Sequence, residues 1–244
     1  SEEEKRRVVD YVSSLNPEVP LMAGVGGMNI EVQEEWIEYC NSLAVDAFLL
    51  VTPLYAKPGP KGQIAWFSRL LDKAETPCMI YNIPSRTGIE LTPGIVDKLK
   101  DHPNFWSIKE ASGRLSDYRE FRRALPDTPL FSGDDALLAY FQPAGCAGLV
   151  SVASNVWPEA TRLYVSKCLS GDIKSLFPLW KQAVDALFSA SNPIPAKRLL
   201  HHKGQITSST LRLPLIETEL EDLSELVRLD AEIENWYKQH KENE

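Results

Sequence analysis

The sequence has no excess of basic residues and no long apolar run. Its 244 residues include 26 Lys and Arg against 34 Asp and Glu, which gives a formal net charge of -8 at pH 7. Because an acidic chain repels a phosphate backbone, we do not expect a nucleic-acid partner. No segment approaches the roughly 20 consecutive apolar residues that cross a bilayer, so we expect no membrane partner either.

Cysteine is scarce, and the four cysteines are far apart. They are Cys40, Cys78, Cys146 and Cys168. They lack the paired spacing of zinc sites, and three of them lie in or beside apolar runs. This pattern predicts buried thiols in a reducing compartment, and we expect a cytoplasmic protein.

The sequence also offers no motif for a cofactor or a metal ion. The glycine-rich segment 24–27 follows an apolar run but lacks the spacing of a dinucleotide loop, and it suits a tight turn better. Asp134 and Asp135 precede a helical pattern, where adjacent aspartates more often cap a helix than bind a metal. His201 and His202 stand at a polar helix end, where we expect them to be solvated.

Short apolar runs alternate with longer amphipathic stretches, the pattern of βα units around a parallel sheet. The predicted strands are rich in apolar residues on both faces, as expected for strands covered on both sides. They span 19–26, 47–54, 78–84, 105–111, 130–134 and 147–152. The predicted helices between them span 30–43, 62–74, 93–100, 115–124 and 136–144.

The strand pattern stops after Trp157, and about four helical segments follow. Breaks are predicted at Gly171, at Asn192-Pro193 and over 204–214. The last helix is predicted over 219–241, with one buried face. Its members are Leu220, Leu223, Val227, Ile233 and Trp236.

The predicted strands end in polar segments that face one rim, where α/β barrels build their active sites. Lys109 ends a strongly apolar run, and burial would favour the neutral amine that attacks a carbonyl. Tyr81 and Arg86 share one loop, which offers a phenol for proton transfer and a planar fork for a carboxylate. Each residue alone is also consistent with a surface side chain that has no catalytic role, but the three together favour catalysis.

Four segments carry a resemblance to a known family. They read Tyr81-Asn-Ile-Pro-Ser-Arg-Thr-Gly, Ile108-Lys-Glu-Ala-Ser-Gly, Ser132-Gly-Asp-Asp and Thr52-Pro-Leu-Tyr. In this order, over essentially the whole chain, they resemble the dihydrodipicolinate synthase and N-acetylneuraminate lyase family. The resemblance implies a (β/α)8 barrel over 1–171, a C-terminal helical domain over 172–244, and a tetramer made of two tight dimers.

The resemblance also implies roles for individual residues. Lys109 would form an imine with pyruvate, and Tyr81 would carry protons to and from it. Tyr55 would reach across the tight-dimer interface as part of a proton relay. Arg86 would hold the carboxylate of aspartate semialdehyde, since sialic acid lyases usually lack this arginine.

Three more residues are implied to line the pyruvate pocket: Asn82, Gly133 and, through its backbone carbonyl, Val150. The implied reaction condenses pyruvate with L-aspartate 4-semialdehyde to 4-hydroxy-tetrahydrodipicolinate on the route to diaminopimelate and lysine. Two alternatives stay open at this point. One is a lyase for sialic acid or another 2-keto-sugar acid, and the other is a catalytically inactive fragment or paralogue.

Two departures from the family pattern lead to further expectations. The family's first two strands and its Thr-Thr-Gly-Glu segment are not in the sequence, and the segment 1–4 resembles the start of the helix that follows them. We therefore expect a barrel lacking two strands and weak turnover from this chain alone. Met28 and Leu54 stand where lysine-inhibited members carry Asn and Tyr, so we do not expect inhibition by lysine.

Overall fold

The computed structural model describes residues 1–172 and 176–241. Over these residues the chain folds into two compact units, Ser1–Phe131 and Ser132–Glu244. The predicted domain boundary at residue 171 stays a prediction. No helix of the described residues is long and apolar enough to cross a membrane.

The six predicted strands are all present, and each lies within its predicted segment. They are β1 Met22–Val25, β2 Ala47–Val51, β3 Cys78–Asn82, β4 Phe105–Glu110, β5 Leu130–Ser132 and β6 Gly148–Leu149. Their order in the sheet follows the chain from β1 to β6. The register of β1 to β4 is parallel throughout, which confirms the predicted α/β class.

The first helix of the first unit precedes β1, and the others follow β1, β2, β3 and β4 along the chain. They are α1 Glu2–Ser14, α2 Ile30–Asn41, α3 Pro60–Lys73, α4 Pro84–Thr87, α5 Pro93–Val96 and α6 Leu115–Ala124. Ser1 caps α1 in a reciprocal capping box with Glu4, which satisfies backbone donors at the helix start. The predicted helix 93–100 was too long, since its α-helical part ends at Val96.

The sheet of the first unit has two unlike faces. Phe48 and Leu50 of β2, Ile80 of β3 and Ile108 of β4 are fully buried on one face. On the other face, Val51 and Tyr81 are half-buried, and Tyr81 is in register with both Val51 and Lys109. Successive side chains alternate between faces, so Lys109 belongs to the more open face.

The second unit is mainly helical. It contains α7 Leu138–Phe141, a 3-10 turn Gln142–Ala144, a 3-10 turn Ala153–Asn155, α8 Pro158–Ser170, α9 Phe177–Leu187, α10 Ile194–His202, a 3-10 turn Glu217–Glu219 and α11 Ser224–His240. The predicted helix 136–144 therefore splits, because Pro143 disfavours a continued α-helix. Gly171 ends α8 in the left-handed conformation, which confirms the predicted break there.

Aromatic rings form the centre of the second unit. The rings of Tyr164 and Trp180 stack with centroids 4.1 Å apart, and Trp157 lies edge-on at 6.2 Å from Trp180. The last helix starts at Ser224 rather than at 219, so its buried face differs from the predicted one. That face consists of Leu226, Leu229, Asp230, Ile233 and Trp236.

Candidate active site

The register of β3 and β4 brings two predicted site residues together. Tyr81 is the register partner of Lys109, and Asn82 is the partner of Glu110. Both strands begin with apolar residues, and both end in polar residues. The polar residues of the two strands therefore lie side by side at the carboxyl edge of the sheet.

The side chains of Lys109 and Tyr81 are in direct contact. Lys109 is 9% exposed, and its Nζ lies 3.9 Å from the centroid of the Tyr81 ring. Burial disfavours a charged ammonium, whereas the face of an aromatic ring attracts a cation. The arrangement suits a nitrogen that is neutral in one step and cationic in the next.

Asn82 lies on the opposite face of the sheet from Tyr81, since the two residues are adjacent in one strand. Its Nδ2 donates to Glu110 Oε2 at 2.7 Å, and its Oδ1 accepts from the backbone N–H of Leu91 at 2.9 Å. Both polar groups of this side chain are thus engaged away from Lys109. The predicted role of Asn82 in lining the pyruvate pocket stays a prediction.

Glu110 is fully buried beside Asn82. Its Oε1 accepts from the backbone N–H of Ser112 at 2.6 Å. Burial raises the pKa of the Glu110 carboxyl, and the hydrogen bonds from Asn82 and Ser112 oppose that shift because they favour the charged form. Glu110 is not among the predicted site residues, although its position next to Lys109 in an apolar strand was a signal.

Arg86 is exposed on the single turn of α4. Pro84 starts this turn, and Gly88 ends it in the left-handed conformation at φ 71°. Thr87 Oγ1 lies 3.0 Å from the carbonyl oxygens of both Ile83 and Ile89, which holds the two ends of the turn together. The turn therefore places Arg86 just beyond the carboxyl end of β3, the strand that carries Tyr81.

Tyr55 stands out from the loop between β2 and α3. Its side chain is 85% exposed, and its backbone adopts φ 62°. The N–H of Ala56 donates to the carbonyl of Leu54 at 2.6 Å, so Tyr55 is the central residue of a tight three-residue turn. Such a conformation is strained for a residue other than glycine. This strained backbone conformation leaves the Tyr55 side chain exposed.

The loops that carry Tyr55 and Arg86 share an anchor. Gln63 of α3 is buried, and its Nε2 lies 3.3 Å from the carbonyl oxygen of Pro58 and 3.2 Å from that of Glu90. Gln63 is not among the residues that the sequence predicts for the site. Its position in an otherwise amphipathic helix gives no signal, since only the fold brings the two loops to it.

Gly133 and Val150 belong to the second unit. Gly133 directly follows β5, and the N–H of Val150 donates to the carbonyl of Ser132 at 2.9 Å. Their predicted roles in a pyruvate pocket stay predictions. In the first unit, Met28 is 60% exposed and Leu54 is half-buried.

The adjacent aspartates of the second unit have different partners. Asp134 Oδ1 accepts from the N–H of Ala136 at 2.9 Å, but α7 begins at Leu138 with Leu137 as its N-cap and has no side-chain capping bond, so the predicted cap is wrong for Asp134. Asp135 is buried and accepts from Ser151 and from the N–H groups of Val152 and Ala153. The prediction that Asp135 caps the following helix was therefore wrong, because its carboxylate binds the turn after β6 instead.

The remaining sequence predictions concern cysteines, histidines and glycines. The four cysteines are free and buried, and His201 and His202 are exposed, as predicted. In the segment 24–27, Gly24 and Val25 are the last residues of β1 rather than part of a turn, and Gly26 and Gly27 begin the connection to α2. Among the described residues, no three His, Cys, Asp or Glu side chains are grouped so that they could hold a metal ion.

Comparison with known proteins gives consistent matches. The model of the dihydrodipicolinate synthetase family matches residues 1–232. A 4-hydroxy-tetrahydrodipicolinate synthase of Francisella philomiragia is 47% identical over 236 residues, which cover 96% of this chain and 80% of the relative.

Two solved structures have closely similar folds. One is the 4-hydroxy-tetrahydrodipicolinate synthase of Methylacidiphilum fumariolicum, with a TM-score of 0.93, 29% identity, and coverage of 99% of this chain and 82% of the other. The second is a dihydrodipicolinate synthase of Acinetobacter baumannii in complex with pyruvate. Its TM-score is 0.88 at 30% identity, with coverage of 95% of this chain and 82% of the other.

Proposed function

The chain belongs to the dihydrodipicolinate synthetase family, and we propose that it is a class I aldolase that condenses pyruvate with L-aspartate 4-semialdehyde. The product would be 4-hydroxy-tetrahydrodipicolinate, on the route to diaminopimelate and lysine. The observation that carries this proposal is the buried Lys109 Nζ, 3.9 Å from the centre of the Tyr81 ring. The name of the Francisella relative and the pyruvate complex of the Acinetobacter enzyme support the choice of substrates.

The first step takes place at Lys109. Its neutral amine attacks the ketone carbon of pyruvate, and the carbinolamine loses water to give a protonated imine. The cationic nitrogen withdraws electrons from the neighbouring carbon, so a methyl proton becomes removable. The Tyr81 ring stabilises the positive charge that remains at this nitrogen.

Proton transfer in the proposal falls to Tyr81 and Tyr55. Tyr81 gives its phenolic proton to the hydroxyl that leaves the carbinolamine as water, and the resulting phenolate then accepts the methyl proton, which leaves an enamine on Lys109. Tyr55 serves a relay across a tight-dimer interface, and its 85% exposed side chain on a strained turn suits such a reach. The proposed assembly is a homotetramer of two tight dimers.

The second substrate is held by Arg86 in this proposal. Its guanidinium grips the carboxylate of the semialdehyde through two parallel hydrogen bonds. The enamine carbon then attacks the aldehyde, and a new carbon–carbon bond forms between aligned atoms. The amine of the substrate finally displaces the nitrogen of Lys109, so the ring closes and the lysine is released.

Other features of the proposal rest on the family resemblance. The proposed fold is a (β/α)8 barrel of which this chain carries six strands, followed by a C-terminal helical domain from residue 172, in a cytoplasmic protein. Gly133 and the carbonyl of Val150 would line the pyruvate pocket. Met28 and Leu54 replace the polar residues of lysine-inhibited members, so lysine is not proposed as an inhibitor.

The experiment that tests the proposal is reductive trapping. The purified protein is incubated with pyruvate and borohydride and then weighed by mass spectrometry. We expect a gain of one pyruvate less water plus two hydrogens, and peptide mapping should place it on Lys109. Lys109→Arg should gain nothing, because a guanidinium stays protonated and does not form this imine.

A matched control is Lys98→Ala, which removes an exposed lysine that lies 3.6 Å from Asp97. This variant should be trapped like the unsubstituted protein. Trapping that persists in Lys109→Arg would overturn the assignment of the nucleophile. Trapping with pyruvate but turnover of a 2-keto-sugar acid instead of the semialdehyde would overturn the proposed second substrate.

A further inference from the structure

A buried polar pair lies directly behind the proposed imine site. Glu110 has no exposed surface and Asn82 is 1% exposed. Each follows a proposed catalytic residue by one position, since Asn82 comes after Tyr81 and Glu110 comes after Lys109. The chemistry proposed above uses neither side chain.

The pair links three backbone segments. Glu110 Oε1 accepts from the N–H of Ser112, in the turn that follows β4. Glu110 Oε2 accepts from Asn82 Nδ2, and Asn82 Oδ1 accepts from the N–H of Leu91, where the Arg86 loop ends. The N–H of Ala111 also donates to the carbonyl of Asn82 at 2.9 Å. One continuous set of hydrogen bonds thus joins the end of the Lys109 strand to both ends of the loop 83–91.

Stability alone does not account for this pair. A buried carboxylate is costly to desolvate, and apolar side chains of similar volume would often be as stable. Each oxygen of Glu110 instead receives a donor from a different segment. Replacing either partner misaligns those segments, and a displacement of about 1 Å near a reacting centre can cost about 100-fold in rate.

We infer that Asn82 and Glu110 are positioning residues, which fix Lys109 against Tyr81 and set the Arg86 loop relative to both. The inference rests on the proposed function. It assigns the pair no contact with substrate. The inference predicts that the rate depends on the pattern of hydrogen-bond donors and acceptors at the two positions, rather than on which residue stands at each of them.

An exchange of the two functional groups tests this consequence. Glu110→Gln alone leaves one acceptor oxygen where two donors point, so one hydrogen bond is lost. Asn82→Asp alone sets two carboxylates against each other in a buried site. The double variant restores the pattern, because the new aspartate accepts from Leu91 and from the new glutamine, whose oxygen accepts from Ser112.

The readouts are the rate of pyruvate trapping by borohydride and the separate kcat and KM values for both substrates. A thermal unfolding curve is recorded for each variant. Each single variant should lower the trapping rate and kcat about tenfold or more, and the double variant should recover most of that loss. Glu90→Gln is the matched control, since it removes an exposed carboxylate of the same loop that binds Arg114. It should keep the rate.

Two results would overturn the inference while the proposed function stands: single variants that trap pyruvate at the unsubstituted rate, or a double variant as slow as the slower single one. If a single variant does not fold, Glu110→Asp replaces it, because this change keeps the charge and shortens the reach. An unchanged rate in Glu110→Asp would also overturn the inference. Absence of trapping in the unsubstituted protein would overturn the proposed function and this inference with it.

Discussion

Tyr81 makes two separable contributions to the proposed mechanism, and single substitutions can measure each. Tyr81→Phe removes the hydroxyl and keeps the ring whose centroid is 3.9 Å from Lys109 Nζ. Tyr81→Leu removes both. A cation over an aromatic ring gains about 0.5 to 2 kcal/mol, which corresponds to about 2- to 30-fold. A positioned proton-transfer group contributes about 100- to 10,000-fold.

The larger contribution should therefore disappear with the hydroxyl. In Tyr81→Phe we expect exchange of the pyruvate methyl protons with deuterated water to slow by about 100-fold or more. Trapping by borohydride at saturating pyruvate should still reach one pyruvate per chain. In Tyr81→Leu, half-saturation of trapping should in addition require about 2- to 30-fold more pyruvate.

The assay follows the loss of the methyl signal by proton NMR, corrected for exchange without protein. Tyr11→Phe is the control, because it removes a hydroxyl from a 65% exposed side chain on α1. This control should exchange at the unsubstituted rate. If Tyr81→Phe also exchanged at that rate, the phenol would not carry the proton, and the contact between Tyr81 and Lys109 would serve only to stabilise charge.

Three further predictions concern the second substrate, stability and pH. Arg86→Ala should raise the KM for the semialdehyde at least about 30-fold, measured at saturating pyruvate, and leave pyruvate trapping unchanged. Asp230→Ala should lower the free energy of unfolding in urea by about 1.5 to 3 kcal/mol, because it leaves the buried Trp157 Nε1 without its acceptor and leaves Lys203 paired with Glu234 alone. Burial raises the pKa of the Cys78 thiol from 9.0 to about 12. Between these pH values the thiol keeps its proton in the folded state and loses it in the unfolded state, so the free energy of unfolding should fall as the pH rises above 9. In Cys78→Ala this fall should be smaller.

Each of these predictions has its own control. Equal losses of trapping and of semialdehyde use in Arg86→Ala would assign Arg86 to the fold or to the first substrate. Asp185→Ala breaks an exposed pair with Lys181 and should cost no more than about 1 kcal/mol, so an equal cost in Asp230→Ala would contradict the reasoning. An identical alkaline slope with and without Cys78 would exclude that thiol as the cause.

The strands of this fold could be predicted from sequence for a simple physical reason. A strand covered on both faces needs a continuous apolar run, and runs such as Cys78–Asn82 end where polar residues begin. The parallel order then follows from the helices between them. Helix ends were harder to place, since Pro143 splits one predicted helix and Val96 ends another early. These limits depend on local turns that periodicity does not encode.

The candidate site was predictable only in part. The proximity of Tyr81 and Lys109 follows from equivalent positions at the ends of neighbouring strands. The family resemblance also implies that Asn82 lines the pyruvate pocket, and its hydrogen bonds to Glu110 and Leu91 could not be predicted from that resemblance. Gln63 and Glu110 could not be identified as partners of the loops, because their hydrogen bonds connect segments that only the fold brings together.

Successive side chains of β3 and β4 point to opposite faces of the sheet, so the two faces have different proposed roles at its carboxyl edge. Tyr81 and Lys109 lie on one face, where Tyr81 is half-buried and Lys109 is 9% exposed, while Asn82 and Glu110 lie on the other face and are at most 1% exposed. A hydrogen bond formed away from water is stronger and more directional than one at the surface. The hydrogen bonds of Asn82 and Glu110 can therefore fix the positions of Tyr81 and Lys109 without occupying the face on which those two residues lie. It follows that substitutions one residue away from a proposed catalytic group should change rate through alignment, even though they touch no substrate.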